Sequence, residues 1–131
     1  MIAGKLSDAF EATIRLPLFD STQTQVVVDA VIDTGFNGFL TLPPSLIAKL
    51  DLQCIGRGRA VLADGTEVVF DVFEAFLLWD GTAISVEADS AKTDVLIGMS
   101  LLRGYELWIN AVKGGEVRIA PGRELKTQHE S

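Results

Sequence analysis

Along much of this chain apolar and polar positions alternate with the two-residue period of half-buried strands. Phe10, Ala12, Ile14 and Leu16 alternate with Glu11, Thr13 and Arg15, which predicts a strand with one face on a core. Residues 19–22, Phe-Asp-Ser-Thr, are turn material. The run over 25–32 is apolar on both faces apart from Asp29, as expected of a strand covered on two sides. A loop follows over 33–38, then a short strand over 39–42.

Pro43 and Pro44 open a short helix over 45–50, with Leu46, Ile47 and Leu50 on its inner face. Proline suits a helix entry because its missing N–H would be unpaired there anyway. Residues 59–79 read as two strands around Ala63-Asp64-Gly65-Thr66, and Asp-Gly is a strong hairpin signal. The second arm, 67–79, breaks at Asp80-Gly81, and a further strand covers 84–88. Val95-Leu96-Ile97-Gly98 ends another apolar strand and leads into a helical turn over 99–103, stopped by Gly104. A closing hairpin over 105–112 and 116–120 turns at Gly114-Gly115. The expected fold class is all-β with two short helices, in one domain over residues 1–131 with its core at about 10–119 and a polar tail over 121–131.

Composition narrows the function classes. A hydrophobic content of 48% with mean hydropathy +0.31 fits a packed globular chain. Apolar runs are far shorter than a membrane span, and residues 1–8 carry no apolar leader, so a cytoplasmic protein without a membrane partner is expected. A net charge of −7 argues against nucleic acid as a partner. Cys54 is the lone cysteine and is expected to be a buried or half-buried packing residue. The lone histidine, His129, lies in the polar tail. Those two facts exclude Cys-His and Ser-His-Asp catalysis, and no Cys/His cluster offers a metal site.

One acidic residue stands out against this background. Asp33, in Asp33-Thr34-Gly35, directly follows the 25–32 strand, where chains usually keep charges out. The Thr-Gly turns the backbone sharply and brings a hydroxyl and two N–H donors near the carboxylate. Ile97-Gly98 ends a second apolar strand in the same way, but without an acid. On these residues alone, Asp33 could also be a plain loop residue capping backbone donors, and Asp64-Gly65 a plain turn. Asp29 and Asp94 read as solvated strand residues, and Trp79 and Trp108 as core or dimer packing.

From about residue 10 to 119 the chain resembles the retroviral-type aspartic proteases, the single-lobe relatives of pepsin. The run Asp-Thr-Gly-Phe-Asn-Gly-Phe-Leu-Thr-Leu-Pro, residues 33–43, is similar to small prokaryotic members. The resemblance implies a retropepsin-like closed barrel with internal pseudo-two-fold symmetry. It also implies an endopeptidase that needs no cofactor or metal. In such enzymes two carboxyl groups about 3 Å apart cannot both ionise, so they share a proton around one water, aspartic proteases being the familiar case. This chain offers one such acid, so a homodimer is expected, with Asp33 of each copy meeting on a two-fold axis.

The resemblance assigns the remaining roles. Thr34 would bond across the axis, Gly35 would give an N–H to the carboxylate, and Ile97 and Gly98 would support the loop from beneath. Ala63, Asp64, Gly65 and Thr66 would tip a flap that closes over an extended peptide or protein substrate, itself bound as an added strand. Three features depart from the pattern. Phe36 stands where family members carry a small or hydroxyl residue. Met99 and Ser100 replace an Arg followed by Asn or Asp, with Arg103 as a substitute, and the flap tip keeps one glycine. Two rival readings keep the fold without the chemistry: a dimeric β-domain that binds extended peptides, and a structural dimerisation domain.

Overall fold

The structure, a computed structural model, describes residues 1–123, so the expectation for His129 lies outside the described residues. The described chain is mostly β. In order it contains β1 (Ile2–Leu6), β2 (Ala12–Phe19), β3 (Gln25–Ile32), β4 (Leu40–Leu42), α1 (Pro44–Leu50), β5 (Gln53–Val61) and β6 (Glu67–Trp79). These are followed by β7 (Thr82–Ser90), β8 (Leu96–Ile97), α2 (Met99–Leu102), β9 (Tyr105–Ile109) and β10 (Glu116–Pro121). Among the described residues no helix is long and apolar enough to cross a membrane.

All ten strands join one sheet in the order β5-β6-β7-β4-β8-β3-β2-β1-β10-β9. An added pairing of β2 with β6, Leu18 opposite Leu77 and Phe19 opposite Phe76, turns the middle of that order back on itself. The shortest strand has the largest topological effect. β8 runs parallel to the end of β3 (Ile32 opposite Ile97) and antiparallel to β4 (Leu40 opposite Ile97). It therefore sits between the two strands that flank the Asp33 loop.

The enclosed faces form the core. Leu16 and Leu18 of β2, Leu40 and Leu42 of β4, Leu50 of α1, Leu77 of β6 and Ile97 of β8 are fully buried together. Each such side chain gains roughly 2 kcal/mol on leaving water, set against the entropy of ordering the chain. α1 enters through Pro43 and Pro44 and buries Ile47 and Leu50. It ends at Asp51, whose left-handed backbone (φ 53°) returns its N–H to Ala48 O.

Several expectations need correction. β1 was not expected as a strand, although Ile2, Gly4 and Leu6 alternate inward, and it pairs with both β2 and β10. Phe10 lies outside β2, exposed in the turn before it, while Phe19 belongs to the strand. β3 is not covered on both faces: Val27 and Asp29 are exposed while Ala30 is buried. β5 begins six residues earlier than the 59–79 reading, its start hidden by Gly56 and Gly58 and by an irregular register between Cys54 and Gly56. Cys54 is exposed, like nearly all of β5, contrary to the expectation of burial. Asp94 is solvated, but in a bend and not a strand. The two tryptophans differ: Trp79 is buried edge-on to Tyr105, whereas Trp108 is half exposed beneath the Arg118 guanidinium.

Candidate functional site

The backbone around Asp33 is tied down on every side. Its N–H donates to Ile97 O (2.8 Å), which carries the β3–β8 pairing one step beyond the strand. Its carbonyl accepts the Phe36 N–H (3.1 Å), closing a tight turn through Thr34 and Gly35. Within that turn the Gly35 N–H donates to Asp33 Oδ1 (3.0 Å). Asp33 is half-buried, and among the described residues no Lys or Arg pairs with it. The carboxylate is thus positioned by one backbone donor, the Gly35 N–H, and not by an opposing charge. Thr34 and Gly35 are exposed, and the Thr34 hydroxyl has no partner among the described residues.

The second half of the loop is clamped to the β8–α2 junction. Met99 N–H donates to Phe36 O (2.7 Å), Gly98 N–H to Phe39 O (3.0 Å) and Ser100 N–H to Gly38 O (3.1 Å). The Ser100 hydroxyl adds a bond to Asn37 O (2.5 Å). Contact here is so close that the main chain leaves room only for glycine at position 98, and the Phe36 ring crowds position 38. A Cβ on Gly98 would stand 2.2 Å from Gly38 O and 2.6 Å from the Phe36 ring, and one on Gly38 would stand 2.5 Å from that ring. Phe36 is therefore a packing residue whose ring fills the space over two glycines. It offers no hydroxyl to the carboxylate.

The β5–β6 hairpin is built differently. Leu62 N–H to Thr66 O (2.7 Å) and Gly65 N–H to Leu62 O (2.9 Å) close its turn, with Gly65 at φ 85°, a conformation that favours glycine. The Thr66 N–H donates to the Asp64 carboxylate (2.9 Å), and the Thr66 hydroxyl and N–H beside it hold that carboxyl below its ordinary value. Either side of the turn the arms are solvated, with Val61 74% and Val69 55% exposed. Ion pairs Arg59–Glu67 (3.2 Å) and Arg57–Asp71 (3.6 Å) cross the exposed strands, each contributing at most about 1 kcal/mol. No hydrogen bond or ion pair joins this turn to the Asp33 loop among the described residues.

With this geometry in view, the chain can be compared with solved structures. The foamy viral protease-reverse transcriptase in complex with RNA/DNA hybrid aligns over 72% of this chain, with a TM-score of 0.51 and 17% identity. A related structure, the foamy viral protease-reverse transcriptase dRH with double-stranded DNA, aligns over 70% of this chain at 17% identity and a TM-score of 0.49. The likeness is one of fold alone. This chain spans only 12% of the length of the first of those proteins. No family model matches the sequence, and no curated protein is similar enough to count as a relative.

The structure thus brings Asp33, Thr34 and Gly35 together with Ile97 and Gly98, and it places Ala63, Asp64, Gly65 and Thr66 at a separate exposed turn. Three further residues hold the Asp33 loop: Phe36, Gly38 and Ser100. Only the glycine of Asn37-Gly38 gave a local hint. It is the Gly38 carbonyl that makes a glycine necessary 60 positions on, at Gly98.

Proposed function

We propose that this chain is a single-domain, retropepsin-like aspartic endopeptidase that works as a homodimer. The observation that carries the reading is a lone carboxylate, Asp33, held at a strand end by the Gly35 N–H and by a loop locked onto β8 and α2. Such locking is what a catalytic acid requires, since a displacement of about 1 Å costs orders of magnitude in rate. The fold likeness agrees with it. Of the two activities named for the foamy viral protein, peptide hydrolysis is the one for which this chain carries a candidate group.

The chemistry needs a second copy. One Asp33 carboxylate takes a proton from a water as its oxygen attacks the peptide carbonyl carbon. The partner subunit's Asp33, still protonated, gives its proton to the carbonyl oxygen, leaving a neutral gem-diol. The first Asp33 then returns its proton to the amide nitrogen while the partner subunit's Asp33 takes one from a gem-diol hydroxyl, so the C–N bond breaks to an acid and an amine and the pair again holds one proton. Substrate would lie extended along the sheet, with the Ala63-Asp64-Gly65-Thr66 turn closing over it to exclude water.

The decisive experiment compares the wild type with Asp33→Asn on denatured casein between about pH 4 and about pH 8, the range over which a carboxyl pair changes protonation. Cleavage by the wild type and none by the variant, with unchanged sedimentation and circular dichroism, is expected. Equal cleavage by both removes Asp33 from the chemistry, and a strict monomer at micromolar concentration removes the shared site. A second reading, a dimeric β-domain that binds extended peptides without cutting them, is favoured by Phe36 in place of a hydroxyl donor. It predicts tight binding of a statine-containing peptide with no cleavage by the wild type.

A further inference from the structure

One cleft on the surface is set well away from Asp33. It has a volume of about 760 Å³ and lies between the β2–β3 turn, the α1–β5 junction and the outer face of β6 and β7. That size falls within the range of ligand sites. The β2–β3 turn is at the opposite end of β3 from Asp33, roughly 25 Å away for an eight-residue strand at about 3.3 Å per residue.

The floor of the cleft is apolar and its walls are fixed. Phe19 lies directly opposite Phe76 in the β2–β6 pairing, with Leu52 and Ile84 beside them. Phe76 is 45% exposed, an aromatic side chain open to the cleft. The Ser21 N–H to Leu50 O bond (3.0 Å) pins the turn to the end of α1. Asp20 closes its own turn, accepting from the N–H groups of Thr22 and Thr24 (2.9 Å each) and from the Thr22 hydroxyl (2.7 Å). These are built walls, not loose loops.

The charged lining is all of one sign. Asp20, Asp51 and Glu74 line the cleft, no Lys or Arg does, and none pairs with these three among the described residues. The acidic surface also extends beyond it. Glu74 stands directly opposite Glu87 in the β6–β7 register, and Asp89 follows two residues on along β7. Like charges set opposite each other on a sheet destabilise the protein that carries them. Burial, and then the charge of Glu87, push the Asp89 carboxyl above its ordinary value. This repulsion falls when a cation arrives.

We propose that this cleft binds a basic peptide segment, with a Lys or Arg side chain held among Asp20, Asp51 and Glu74 and an adjacent apolar side chain seated on Phe19 and Phe76. The assignment is independent of the protease reading. An ammonium or guanidinium group supplies the missing counter-charge and can also lie over an aromatic face. A neutral apolar ligand would leave the carboxylates uncompensated. An anion would be repelled.

The test uses the whole chain carrying Asp33→Asn, which prevents turnover, and the capped hexapeptide Arg-Leu-Lys-Phe-Arg-Leu as probe. Titration followed by amide chemical shifts is expected to move residues 19–23, 51–53, 74–76 and 83–85, while a peptide with Glu at each basic position moves none. Shifts confined to residues 33–38 and 97–100 would place the peptide at the Asp33 loop and overturn this proposal without touching the protease reading. The double variant Glu74→Gln, Glu87→Gln is expected to bind the probe on the order of fivefold more weakly for each charge that faced it, yet to melt at a higher temperature, because the repulsion is gone. Unchanged affinity in that variant, or in Phe76→Ala, overturns the assignment.

Discussion

The two turns that the proposed chemistry brings together are held by opposite means. The Asp33 loop is fastened by main-chain hydrogen bonds from the β8–α2 junction, and the Gly38 carbonyl leaves no room for a Cβ at Gly98. Among the described residues the β5–β6 turn is fastened only to itself, and nothing of them lies within 4 Å of a Cβ built on Gly65. Stability in a folded chain is local, and it follows buried contacts. A group that must be placed accurately belongs on the first kind of loop, and a cover that must open belongs on the second.

The clamp on the Asp33 loop is most vulnerable at Gly98. Gly98→Ala puts a methyl against the Gly38 carbonyl oxygen and the Phe36 ring, so the loop or the strand must move. Overpacking of this kind costs about 2 kcal/mol, read as a lower urea midpoint, and any peptidase activity should fall with it. A midpoint unchanged from wild type would show that the loop is not clamped. Ser100→Ala removes only the bond to Asn37 O and is expected to cost about 1 kcal/mol in the same measurement.

On the other side of the comparison, Gly65→Ala meets no neighbour and bears only the strain of a left-handed backbone, about 1 kcal/mol confined to the turn. Faster amide exchange at Leu62 and Thr66, with no change at Asp33 or Met99, is the expected signature. The smallest effect is electrostatic. The Asp64 carboxyl is held below its ordinary value of 3.8 by the hydroxyl and N–H of Thr66, so its contribution is complete above that value. It is lost as pH falls through the lower folded value. Exchange of the Thr66 amide should therefore quicken only in acid beyond the simple pH dependence, and a loss beginning near neutral pH would contradict the assignment.

How much of this was written in the chain differs between its parts. Gln25–Ile32 and Glu67–Trp79 were legible because long apolar or alternating runs leave little choice of element, and the turn at Asp64-Gly65 because few residues accept its backbone. Asp33 was legible as an oddity, a charge at the end of an apolar strand. Ile2–Leu6 was missed although its alternation was present, because a five-residue stretch with Gly4 and Lys5 carries little hydrophobic weight until β2 and β10 flank it. Gln53–Gly58 was missed because glycines conceal a strand whose regularity comes from its neighbour β6.

What the sequence determined by itself is therefore local: the strand periods, the helix entry at Pro43 and Pro44, the turns, and a single acid in an unusual place. Only the tertiary structure decided that Leu96–Ile97 slips between β3 and β4, that Phe36 packs over Gly38 and Gly98, and that Phe19 and Phe76 meet beneath an acidic cleft. The physical reason is range. Backbone preferences act over a few residues and can be read from them, whereas steric exclusion and charge act between whatever the fold brings close, however far apart along the chain.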